Sequence, residues 1–73
     1  MPLINVDIFK DELSQAQSAD LIAKITDAVA VVTSEKLRPH TWVIIREVHD
    51  GQWGIGGDPL TLANVKAITA EGD

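Results

Sequence analysis

Pro2 brings to this chain a group that could act as a base near neutral pH without a buried partner. It follows Met1 directly. Methionine before a small residue is readily trimmed in cells, and trimming would leave Pro2 with a free secondary amine. An α-amino group titrates at about 7.7–8.0. A cationic neighbour or apolar surroundings lower that value toward the range where a general base works best at pH 7. With Met1 attached, the same nitrogen is an amide and accepts no proton. The plainer reading of Pro2 is a strand start, where a missing N–H costs little.

Other chemistries find less support. Cysteine is absent, which excludes disulfides and thiolate metal sites. His40 and His49 are nine residues apart and share no carboxylate at a ligand-like spacing, so no metal is expected and both read as surface residues. Gly51, Gly54, Gly56 and Gly57 place four glycines in seven residues. This run reads as a hairpin. A phosphate loop is the competitor, but no lysine–threonine pair follows and Asp58 would repel phosphate.

The elements that must position Pro2 follow from periodicity. Residues 3–9 alternate with period two, Ile4, Val6 and Ile8 against Leu3, Asn5, Asp7 and Phe9, as a strand does. Ser14 with Gln17 three residues on has the spacing of a capping box. Leu21, Ile22, Ile25, Val29 and Val32, with Ala28 beside them, then form the apolar face of a helix running to Val32, and Asp20 with Lys24 is a favourable i,i+4 pair on its polar face. Residues 34–40 are a polar connector ending in Pro39. Residues 41–48 are a second strand, whose unbroken run Trp42-Val43-Ile44-Ile45 suggests burial on both faces. Asp50-Gly51 makes a turn. Pro59 suits a first helical turn, and Thr61 would cap a short C-terminal helix through Leu62, Val65 and Ile68, with Gly72 beyond its end.

Strand, helix, strand implies a right-handed crossover and two parallel strands. One helix covers only one face of such a pair. The 73 residues make one domain, 1–73, and a core this small contributes about 3–5 kcal/mol at most. With disulfides and metals set aside, oligomerisation remains, so the bare face is expected to meet another copy. The formal net charge is −5 and the six basic residues are scattered, which argues against nucleic acid. No apolar run approaches the ~20 residues of a membrane span, and acidic residues interrupt the N-terminal stretch, so no membrane association is expected and a cytoplasmic protein is.

The N-terminal Met-Pro-Leu-Ile strand, one helix, Val43-Ile44-Ile45 followed by Glu47-Val48, and Gly51-Gln52-Trp53-Gly54-Ile55-Gly56-Gly57, in this order and spacing, resemble the 4-oxalocrotonate tautomerase family from Pro2 to about Asp58. The resemblance implies an α+β fold: a β-α-β subunit with two parallel strands, one crossover helix and a C-terminal β-hairpin, assembled as a homo-oligomer, usually a hexamer. It implies cofactor-free keto–enol tautomerisation of a small 2-oxo acid or its enol. Pro2 matches the proline that moves the proton, and Trp53 falls where the family places an aromatic wall beside it.

The departures from the family concern its cations. One family arginine follows the first strand, where this chain has Lys10-Asp11-Glu12-Leu13; the second aligns with Trp42. Arg38 ranks first as a replacement because a loop cation can reach a site. Lys10 is near in sequence, and Arg46 shares a strand face with Trp42 by alternation. Without the two arginines, a monocarboxylate or an aryl-substituted acid is expected rather than a dicarboxylate, its ring held by Trp42 and Trp53; Trp42 equally suits core or subunit packing. Two alternatives stay open: hydratase or dehalogenase chemistry on an unsaturated acid, with Glu12, Asp11 or Glu47 activating water, and a non-catalytic oligomeric binding module.

Overall fold

The computed structural model describes residues 1–70. In chain order they form β1 (Leu3–Phe9), α1 (Gln15–Val32), a 3-10 segment (Glu35–His40), β2 (Trp42–Val48), β3 (Trp53–Ile55), β4 (Asp58–Leu60) and α2 (Leu62–Ala70). β1 pairs with β2 in parallel and β3 with β4 antiparallel, which gives the expected β-α-β unit and C-terminal hairpin. The chain divides into two compact units, one of Met1–Val6 with Leu13–Arg46, the other of Asp7–Glu12 with the chain from Glu47 onward.

In the first unit the local signals act as their chemistry dictates. Ser14 caps α1: its Oγ accepts the Gln17 N–H at 3.1 Å, and the Ser14 N–H donates to Gln17 Oε1 at 2.9 Å. At the other end Thr33 donates both its N–H and its hydroxyl to the Val29 carbonyl. The side of α1 that is covered carries Leu21, Ile25, Val29 and the buried Ala30. Ile22, Ala28 and Val32, expected on that side, lie exposed beside it, Val32 at 83%. Ile4, Val6, Val43 and Ile45 are the half-covered positions of the strands.

The Trp42 N–H donates to the Pro2 carbonyl at 2.9 Å, the rung that sets Leu3 opposite Trp42. The sheet face they share is bare: Leu3, Trp42 and Ile44 are all exposed. The expectation that β2 is buried on both faces therefore does not hold within one chain. The connector of residues 34–40 is also more ordered than expected. It forms a 3-10 segment because Ser34 caps it and because i→i+3 bonding tolerates Pro39 near its end.

In the second unit Phe9 is the anchor, only 3% exposed. The turn after it is held by backbone and carboxylates: the Glu12 N–H donates to the Phe9 carbonyl at 3.1 Å, the Phe9 N–H to Glu12 Oε1 at 3.1 Å, and the Asp11 N–H to Glu47 Oε2 at 2.9 Å. β3 and β4 are joined through Gly56 and Gly57, at φ +59° and +89°. Positive φ at both central residues matches the strand twist and favours glycine. Pro59 lies in β4 opposite Gly54 rather than at a helix start. A strand this short, on a sheet edge, accommodates the missing N–H. α2 begins where Thr61 and Asn64 exchange bonds and the Leu62 N–H donates to Asp50 Oδ1 at 2.7 Å. Gly72 lies outside the described residues.

Candidate active site

Pro2 stands at the threshold of β1, its carbonyl fixed by the Trp42 N–H. It opens onto a groove of about 470 Å³ lined by Leu3, Ile4, Ala28, Val29, Val32 and Thr33. Thr33 is the one polar side chain in that lining, and its hydroxyl is spent on the Val29 carbonyl. Met1 itself is highly exposed. Three of the groove's lining residues, Ala28, Val29 and Val32, are ones that helical periodicity had assigned to packing. The signal that they line a cavity was the excess of apolar positions around α1, wider than one sheet-facing stripe needs.

Trp42 is brought to Pro2 by the backbone, and its indole lies on the bare face with Leu3 and Ile44. Arg46 lies further along β2 on the face of Trp42. Arg38 is in the same unit, and its guanidinium is engaged by carboxylates. Nε and Nη2 fork onto Glu35 at 2.9 and 3.1 Å, and Nη1 donates to Asp27. These bonds raise the Arg38 pKa, Glu35 first and Asp27 next, and Arg38 in turn holds the Glu35 carboxyl below its usual range. Arg38, ranked first among the replacement cations, thus already has two carboxylate partners.

Trp53 and Lys10 belong to the second unit. The Trp53 ring stacks on Phe9 with centroids 4.9 Å apart and planes 16° from parallel. Trp53 also borders a shallow groove with Val48, Gln52 and Gly54. Lys10 donates its backbone N–H to the Val48 carbonyl at 2.9 Å. Its ammonium makes no hydrogen bond or ion pair among the described residues, and it lines a cleft of about 290 Å³ with Asp11, His49, Asp50 and Leu62. Asp11 takes φ +65°, a left-handed conformation that aspartate tolerates better than most residues. Phe9 was read only as a strand position; its place as the support of Trp53 depends on the hairpin returning to β1, which no local pattern encodes.

The sequence profile of the family described as "Tautomerase enzyme" matches residues 2–63. A probable tautomerase of Dickeya dadantii (strain 3937) is 43% identical over 61 residues, covering 84% of this chain and 90% of that protein. A probable tautomerase of Campylobacter jejuni is 33% identical over 67 residues, covering 92% of this chain and 97% of that protein. No solved structure matches. A β-α-β unit that begins on a proline beside an apolar groove, and a match running almost from end to end, place this chain in the tautomerase family, as an isomerase.

Proposed function

We propose that the chain is a cofactor-free keto–enol tautomerase of a small 2-oxo acid, with the amine of Pro2 as its acid–base group once Met1 is removed. The observation that carries this reading is the apolar groove at Pro2, whose carbonyl is pinned by Trp42. In the reaction the neutral amine takes the proton of the enol hydroxyl. The electrons of the O–H bond form the carbonyl, and the alkene carbon receives a proton from the ammonium, which regenerates the base. Cations offset the carboxylate and the negative charge developing on the enol oxygen. Lys10, unpartnered among the described residues, leads that role, with Arg46 second. Trp53, held by Phe9, is assigned the apolar wall that keeps water from the amine.

The lining of the groove favours a substrate with an apolar or aryl substituent over a dicarboxylate. Hydratase or dehalogenase chemistry is less well supported. It needs a free carboxylate to activate water; Glu12 and Glu47 are engaged with the Phe9 and Asp11 N–H groups, which leaves the Asp11 carboxylate alone of the three for that role. Halide release from a haloacrylate would reverse that order. The bare apolar face of Leu3, Trp42 and Ile44 supports a homo-oligomer, a hexamer by family resemblance. No helix among the described residues is long and apolar enough to cross a membrane.

The test uses protein whose trimming is verified by intact mass, assayed on a panel of alkyl and aryl enols of 2-oxo acids. Pro2→Ala is expected to lower kcat/KM by about 10²–10⁴-fold, the range of general acid–base catalysis. Protein that retains Met1 should be equally poor. Equal rates for trimmed wild type and Pro2→Ala across the panel would refute the assignment.

A further inference from the structure

The chain passes from α1 to β2 through residues 33–41, a connection built of short-range bonds. Ser34 Oγ accepts the Lys36 N–H at 3.1 Å, and the Leu37 N–H donates to the Ser34 carbonyl at 3.0 Å. Thr41 closes the segment, its N–H on the Arg38 carbonyl at 3.3 Å and its hydroxyl on the Leu37 carbonyl at 2.9 Å. A 3-10 segment has poor hydrogen-bond geometry, and Pro39 withholds a donor from this one. None of its residues is fully buried. Arg38 ties it to the rest of the unit, by its fork on Glu35 within the segment and its bond to Asp27 on α1, eleven positions earlier. Directly after Thr41 comes Trp42, whose N–H holds the Pro2 carbonyl.

We propose that Arg38 is a positioning residue: by clamping the 3-10 segment to Asp27, it fixes where β2 begins and, through the Trp42–Pro2 hydrogen bond, where the Pro2 nitrogen stands. This rests on the reading of Pro2 as the base. A substrate-gripping cation and a clamp make opposite demands on the guanidinium. The first requires the fork to be released by Asp27 and Glu35, the second requires it to stay engaged. A planar fork with two carboxylates is suited to the second, and lysine would reproduce only part of it.

The demands separate experimentally in trimmed protein carrying Arg38→Ala, Arg38→Lys, or Asp27→Asn with Glu35→Gln. Two readouts are needed: hydrogen exchange of the Trp42 amide, and steady-state kinetics on one enol acid and its methyl ester. The clamp predicts that Arg38→Ala and the double variant both speed Trp42 exchange by about two- to fivefold, the range an exposed ion-pair network allows. Both should lower kcat on acid and ester alike with KM little changed, and Arg38→Lys should recover part of the loss. The proposal is overturned if Trp42 exchange is unmoved in both. It is equally overturned if the double variant, its guanidinium freed, gains activity while Arg38→Ala raises KM for the acid alone. Exchange that responds in a protein turning over no enol would leave the clamp standing and remove the reading of Pro2.

Discussion

The two tryptophans have been given opposite surroundings. Trp53 lies flat on Phe9, a ring from its own chain that is almost fully buried. Trp42 begins β2 with 58% of its surface exposed, flanked on a bare sheet face by Leu3 and Ile44. Both carry the same large apolar payload, and both are rings that would serve a substrate. The difference lies in where the partner comes from. β1 supplies one for Trp53, the Phe9 ring, within the chain. No element among the described residues buries Trp42, because one helix can cover only one side of two parallel strands. An indole stacked on a neighbour has its orientation set by the chain, whereas one on an uncovered sheet face is left for the proposed contact with another copy.

Substitutions can break this contrast. The largest effect is expected from Phe9→Ala, which removes the support of Trp53 and should cost about 3–5 kcal/mol in urea unfolding. A smaller loss would mean that Trp53 does not depend on it. Next is Trp42→Asp. A charge on the bare face should weaken assembly by about 2 kcal/mol or more, seen as dissociation in sedimentation velocity at dilution. Unchanged sedimentation would show that this face is not an interface. A double-mutant cycle of Phe9→Ala and Trp53→Ala sharpens the first half, with an expected coupling of about 0.5–1.5 kcal/mol.

The smallest effect lies away from both rings, at Glu35. Hydrogen bonding from Arg38 holds its carboxyl below the ordinary value of 4.5. A folded-state value below the unfolded one contributes stability that is complete above about pH 4.5 and is lost as pH falls through the lowered value. Thermal midpoints of wild type should therefore decline through that window, and Glu35→Gln should show a slightly flatter profile. Exposure of the pair keeps the difference small.

Local physics made much of this fold legible. The capping box of Ser14 and Gln17 and the strand alternation of residues 3–9 involve neighbours a few positions apart, so spacing alone encodes them. The pairing of strands followed from handedness once the element order was known. Tertiary relationships were less visible. The Arg38–Asp27 bond joins residues eleven apart whose side chains carry no mark of meeting, so Arg38 read as a free loop cation. Pro59 suits a helix start and an edge strand equally well, and only the hairpin's return decided between them. The helix stripe was read as one packed face because periodicity gives the angular position of Val32 and Ala28 and says nothing of how wide the covering layer is. Pro2 was visible for its nitrogen, while the groove beside it had to wait for three dimensions.

A proline at the head of a parallel ladder has only its oxygen to offer the neighbouring strand, and here that oxygen is taken by Trp42. On the proposed reading, restraint and reactivity reside on opposite ends of one residue. The ladder bond is made by the carbonyl oxygen, so the amine that loss of Met1 would free takes no part in it.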